Sequence, residues 1–182
     1  YKYNMLLPGG KQLEVRPLQP SDEFESRNFY YSLQEDSIYY RFFNRRKVFS
    51  RRMLQQMWAQ VDYRRNMTLI ALMHQGKRKQ IVAVASYAEV DPKSAEVAFL
   101  VQEDLHGQGI ATFMLNCLEK IARQNNYSCF TALVLAQNKK MLHVFKQNYP
   151  HAEFIQGESG EIEVIMPFAI TGEYNTPSEH DR

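Results

Sequence analysis

The strongest constraint on this chain is a change of hydrophobic period in its middle. Apolar and polar residues alternate in three runs, Thr68–Met73, Gln80–Val90 and Ala95–Val101, with short polar turns between them. Such alternation predicts three antiparallel strands in a meander. After Val101 the chain passes through Gly107-Gln108-Gly109 into apolar spacing near 3.6, with Phe113, Met114, Cys117, Leu118 and Ile121 on one face. That spacing predicts a helix to about Gln124, and Phe130–Leu135 then reads as a strand. Two strands joined through a helix should run parallel. The expected class is therefore α+β: a mixed, mostly antiparallel sheet with one parallel pair, flanked by helices.

The flanks extend this order. Gln12–Arg16 reads as a strand after the Pro8-Gly9-Gly10 turn, and Ser21 reads as the cap of a helix ending near Leu33. A second helix follows Asp36-Ser37, carrying Ile38, Tyr39, Tyr40, Phe42 and Phe43. A third starts at Ser50 with Met53, Leu54, Met57, Trp58 and Val61 as one core-facing stripe. Asn138 heads a further helix with Met141, Leu142 and Phe145, and Ala152–Ile155 and Glu161–Phe168 are closing strands. At 182 residues the chain is expected to form one domain over 1–182, with a core at about 12–168 and a polar, frayed tail at 171–182.

Composition limits the partners. Residues are 45% hydrophobic and 23% charged, as in globular proteins, and no apolar run approaches the roughly 18 residues of a membrane span. No membrane partner is expected. The formal charge of +2 argues against a dedicated nucleic-acid binder. Arg41, Arg45, Arg46, Lys47, Arg51, Arg52, Arg64 and Arg65 nevertheless face one acid, Asp62, in that stretch. They read as a solvated helix face, or as a surface for phosphates or an acidic partner. Cys117 and Cys129 lack metal or disulfide spacing and read as small core residues in a reducing, cytoplasmic compartment. No metal site is expected. The opening Tyr-Lys-Tyr suggests a piece of a longer polypeptide.

The chemistry concentrates between Glu96 and Thr112. A strand, a loop with two glycines and a helix start place unpartnered N–H groups at the positive end of a helix dipole. Glycines let such a loop curl around one anion, and a pyrophosphate fits it. No Lys follows the loop as a Walker A motif requires, and Thr112 stands where a dinucleotide fingerprint needs its third glycine.

The run Ala95–Val101 followed by His106-Gly107-Gln108-Gly109-Ile110-Ala111 resembles motif A of the GCN-related N-acetyltransferases. That motif, Gln/Arg-x-x-Gly-x-Gly/Ala, cradles the pyrophosphate of coenzyme A. Asn138 with Met141, Leu142 and Phe145 resembles motif B, whose Asn contacts the pantetheine arm. Ser37–Phe43 resembles acetyltransferase domains fused to acyl-CoA-handling enzymes, including bacterial protein lysine acetyltransferases. The resemblance implies acetyl-CoA as donor and partner, a protein lysine or small amine as acceptor, and a possible fused acyl-CoA-handling domain. It implies cofactor contacts from Leu100, Val101, His106, Gly107, Gln108, Gly109, Ile110, Ala111, Thr112 and Asn138. In its protein-lysine branch a Glu lies three residues before the strand's Phe, as Glu96 does before Phe99. Glu96 is thus the expected general base, the alternative being a solvated residue near a strand end.

Three positions depart from the family. The Gln/Arg position falls on Asp104 or His106, depending on which glycine pair is matched. Phe145 stands where many relatives carry a Tyr acid, and Tyr149-Pro150 replaces the usual Gly-Phe. The expected reaction is direct transfer in a ternary complex, with Leu100 and Val101 N–H groups polarising the thioester carbonyl and solvent protonating the departing thiolate, Tyr149 being the alternative acid. The alternatives are a non-catalytic acyl-CoA sensor and a small-amine acetyltransferase.

Overall fold

The computed structural model describes residues 1–43, 62–76 and 78–169. Its elements, numbered in order, are β1 (Tyr3–Leu6), β2 (Gln12–Pro17), α1 (Glu23–Ser32), α2 (Glu35–Phe42), β3 (Asn66–Gln75), β4 (Arg78–Asp91), β5 (Ser94–Val101), α3 (Ile110–Gln124), β6 (Cys129–Leu135), α4 (Lys139–Asn148), β7 (Glu153–Gln156) and β8 (Glu161–Pro167). The strands form one sheet in the order β1-β2-β3-β4-β5-β6-β8-β7. Among the described residues only β5 and β6 pair in parallel, on either side of the α3 crossover. The α+β class and the parallel pair expected from the sequence are both present. The helix expected from Ser50 to Val61, residues Arg45 to Arg52 and the tail 171–182 lie outside the described residues.

Alternation along the strands divides the core in two. Leu13, Val15, Val82, Ala95, Val97, Phe130, Ala132, Val134, Val164 and Met166 turn to one face, which α3 and α4 cover. The buried α3 residues Ile110, Met114, Leu115, Cys117, Leu118, Ile121 and Ala122 form the stripe that meets this face. Ile70, Leu72, Ile81, Val84 and Leu100 turn to the other face, where Phe29, Tyr30 and Leu33 from the α1 end and Ile38 of α2 pack.

Two local features differ from the sequence reading. β1 was not anticipated, because four residues with an exposed half give little periodicity. It pairs antiparallel with β2 and also runs beside α3, where the Tyr1 hydroxyl donates to Gln124 Oε1 at 2.7 Å. Ser21 is exposed and does not cap α1. The chain enters that helix through a 3-10 turn at Pro20–Asp22, closed by the Asp22 carboxylate. Asp22 accepts the Gln19 N–H at 2.8 Å and bonds from Arg16 Nη1 and Nη2, at 2.7 and 2.8 Å. A buried carboxylate with a bidentate arginine partner holds this turn more firmly than an exposed hydroxyl could.

Candidate active site

The site grows from one break in the sheet. β5 and β6 pair only at Ser94–Glu96 with Cys129–Thr131, and over Val97–Val101 the two strands part. The Gln102 N–H donates to Val82 O at 2.9 Å, and Leu100 lies opposite Val84, so Leu100 directs its backbone groups at β4. Alternation turns the N–H and C=O groups of Phe99 and Val101 the other way, into the gap beside β6. The Val101 carbonyl indeed meets His106 Nε2 at 2.9 Å. The gap is thus edged by Phe99 and Val101, whereas Leu100, expected at the thioester, has its backbone turned to β4 and its side chain buried under α1 and α2.

At the mouth of the gap lies the glycine loop. Gly107 and Gly109 adopt φ of 77° and 80°, conformations that favour glycine and that turn successive N–H groups toward one side. Gly109 caps α3, and Phe113 is the first amide donating within the helix, to Gly109 O at 2.9 Å. The N–H groups of Ile110, Ala111 and Thr112 remain at the dipole's positive end. Gly107 and Gly109 are exposed, so an anion can approach this backbone. These donors suit an anion such as a pyrophosphate. Of the two candidate Gln/Arg positions, His106 is the one brought here. Its ring spans the gap, with Nε2 on Val101 and Nδ1 3.4 Å from Lys140 Nζ on α4. Asp104 is exposed on the 3-10 turn Glu103–Leu105.

Asn138 sits across the gap as the cap of α4, its Oδ1 accepting the Met141 N–H at 3.2 Å. Glu96 stands on the last rung of the β5–β6 pair, opposite Thr131, with an exposed side chain. It points to the α1–α2 face, since its neighbours Ala95 and Val97 point to the other. Arg41 near the end of α2 lies within electrostatic reach of Glu96: burial lowers the Arg41 pKa, while Tyr30 and Glu96 oppose that shift. The cross-strand register continues the row from Glu96 to Thr131, Ile165 and Glu153, with Leu133, Glu163 and Ile155 in a neighbouring row. Leu133 and Ile155 are both 46% exposed, so among the described residues this half of the sheet face is open.

Phe145 is 1% exposed and packs edge-on against Phe99, ring centroids 6.1 Å apart. The position thus serves the core and offers no proton. Tyr149 is buried at the far end of α4, and its hydroxyl donates to Glu119 Oε2 at 2.7 Å. Burial foremost, then the Glu119 charge, raises its pKa. Glu119 lies nine residues beyond Ile110, about 13 Å along the helix from the glycine loop. Burial pushes the Cys117 thiol up to about 11 and also raises that of Cys129. Neither is poised as a nucleophile. His143 is exposed on α4.

Sequence reasoning missed Phe99 as an edge residue, although its alternation with Val101 on the same strand contained that signal. It also missed Glu103. This carboxylate accepts the Gln34 N–H at 2.9 Å and the Ser37 hydroxyl across 66 residues of chain, a contact no local pattern reports.

Comparison with known proteins identifies the family to which this fold belongs. Over 136 residues the chain is 26% identical to "Acetyltransferase PA5475" of Pseudomonas aeruginosa, covering 74% of this chain and 73% of that one. It is 29% identical over 134 residues to "Acetyltransferase Pat" of Mycolicibacterium smegmatis, covering 72% of this chain but only 39% of that longer protein. The GNAT domain of S. lividans PAT superposes with a TM-score of 0.80 and 26% identity, covering 92% of this chain and 97% of that domain. Residues 25–149 match the acetyltransferase (GNAT) family, whose members use acetyl-CoA, and the chain belongs to that family as an N-acetyltransferase.

Proposed function

We propose that this domain moves the acetyl group of acetyl-CoA directly to the side-chain amine of a protein lysine, with Glu96 as general base. The observation that carries this reading is the position of Glu96, exposed where β5 and β6 separate and beside the open rows of β6, β8 and β7. A broad face with Leu133 and Ile155 between acids suits a cationic side chain presented on a protein surface better than an enclosed small amine. The unpaired Cys117 and Cys129 suit a cytoplasmic setting, and the relation to a longer acetyltransferase suits a transferase module within a larger chain.

The pyrophosphate rests on the N–H groups from Gly107 to Thr112, and the pantetheine arm enters the gap between β5 and α4, near Asn138. The N–H groups of Phe99 and Val101 lie on the edge where a thioester carbonyl would gather charge, so the role first given to Leu100 passes to Phe99. A lysine amine is protonated at neutral pH, with an ordinary pKa near 10.4. Glu96 accepts that proton, the nitrogen attacks the carbonyl carbon, and the C–S bond breaks to release a thiolate. A thiol pKa of about 8.5 makes the thiolate a tolerable leaving group. Solvent protonates it, since Phe145 has no proton and Tyr149 is committed to Glu119.

An acceptor panel tests this. Lysine-containing peptides, spermidine and free amino acids are incubated with acetyl-CoA, and thiol release and product mass are followed. Acetylation at a peptide ε-amine is the expected result; turnover with spermidine alone would replace the protein acceptor by a polyamine.

A further inference from the structure

The loop that approaches the coenzyme has a second attachment, to the helix on the acceptor side. α2 starts at Glu35 after Gln34, whose side chain makes no capping bond to its own helix. The carboxylate that serves this helix end comes instead from Glu103, in the turn between β5 and the glycine loop. Its Oε1 accepts the Gln34 N–H at 2.9 Å and the Ser37 hydroxyl. One residue earlier, Gln102 Nε2 donates to Ser32 Oγ at 3.2 Å, at the end of α1. A carboxylate at a helix N-terminus is favoured by the dipole and by the orphan N–H groups there. Burial works against the Glu103 charge, but the bonds from Ser37 and the Gln34 N–H outweigh it and hold the carboxyl below its ordinary range.

One short segment therefore has two tasks. Its glycine end, Gly107–Thr112, meets the anion, and its start, Gln102–Glu103, holds the junction of α1 and α2. Ser37 and Arg41 are one helical turn apart on the same side of α2, so a shift at the clamped end moves Arg41 against Glu96. Ile38, between them, is buried in the cluster that contains Leu100 of β5.

We infer that Glu103 is a positioning residue that couples the coenzyme loop to α2, so that binding of acetyl-CoA sets the acceptor side of the site. This rests on the reading that the glycine loop holds the coenzyme. Linkage makes the effect reciprocal: what the coenzyme does for α2, an acceptor held by α2 does for the coenzyme.

Amide hydrogen exchange with and without coenzyme A reads both ends of the segment in one experiment. In the unaltered protein the coenzyme should slow exchange in residues 107–112 and, by about tenfold, in the first turn of α2, a size ordinary for coupling between sites. In Glu103→Ala the loop should remain protected while the α2 response falls below about twofold on the same scale. Glu103→Gln keeps an oxygen that accepts both bonds and should restore most of the response. Ser37→Ala, which keeps the Gln34 bond, should lose part of it and serves if Glu103→Ala does not fold. Equal α2 protection in Glu103→Ala or Ser37→Ala and in the unaltered protein would overturn the coupling, as would a protected loop with an unresponsive α2. An unprotected loop in the unaltered protein would overturn the coenzyme reading itself, and the coupling with it.

Discussion

Glu96 and Tyr149 are the two ionisable groups whose roles a single substitution can separate. Glu96→Gln keeps the size and exposure of the side chain but removes the base. It should lower kcat by about 10²–10⁴-fold at neutral pH while leaving acetyl-CoA affinity nearly unchanged, as steady-state kinetics and calorimetry would show. A normal rate and pH profile in that variant would make Glu96 structural. Tyr149 is 5% exposed and donates to Glu119, which also accepts Arg123 at 2.6 and 2.8 Å. Tyr149→Phe should change kcat by less than about threefold, under roughly 0.7 kcal/mol of barrier. Its cost should appear in stability, at about 1 kcal/mol for the hydrogen bond lost at Glu119 Oε2, since Arg123 still holds Oε1. The pH profile of kcat should accordingly rise through one ionisation with no falling limb. An upper limb that vanishes in Tyr149→Phe would identify Tyr149 as the acid after all.

The elements that matter are the two helix entrances. Gly109 caps α3 at φ 80°, and a Cβ there would stand 3.6 Å from Met5 Cε. The backbone conformation rather than crowding forbids a β-branched residue. Gly109→Val should turn the loop's N–H groups away and weaken coenzyme A by about tenfold or more, equivalent to 1.4 kcal/mol, in a calorimetric titration. Unchanged affinity in a folded variant would move the site elsewhere. At the entrance to α1, Asp22→Ala strips the half-buried Arg16 of a bidentate partner and opens the Gln19 turn. Charge-assisted bonds of this kind contribute about 1.5–3 kcal/mol each. Thermal melts should show a fall of several degrees, at about 2–4 °C per kcal/mol for a chain of this size. Asp22 lies at the start of α1, whereas the segment leading to the glycine loop meets the other end of that helix at Ser32, so coenzyme affinity should survive.

For the whole molecule, the ionisable groups predict where stability is lost. Glu14 is held below its ordinary pKa chiefly by Lys2, and Asp91 by Ser94. Asp22, Asp62 and Glu103 are lowered too: in each, burial pushes up, and hydrogen bonds from Arg16, from the backbone at 64–66, and from Ser37 and Gln34 respectively prevail. A folded-state pKa below the unfolded one contributes stability above the unfolded value, and that contribution disappears as pH falls through the folded value. At the other end, burial raises Tyr30 and Tyr87 to about 12. Their contribution is complete below the unfolded value of about 10 and is lost as pH rises toward the folded one. Melting temperature should therefore hold between about pH 5 and 9, falling below about 4 and above about 10. A melting temperature unchanged at pH 3 would show that these carboxylates keep their unfolded values in the fold. Much of this molecule was legible from residue order alone. The strand at Ala95–Val101, the helix starting beside Gly109, the parallel partner at Phe130–Leu135 and the cap at Asn138 all follow from period and from backbone demands within a few residues. What tertiary structure decided are relations across the chain that no local period encodes. Pairing with β6 ends at Glu96, which leaves Phe99 and Val101 rather than Leu100 on the open edge. Tyr149 is spent on a carboxylate 30 residues earlier, and Glu103 closes a helix that begins 68 residues before it. Each depends on which groups remain without a partner once the sheet has formed, and only the assembled sheet determines that.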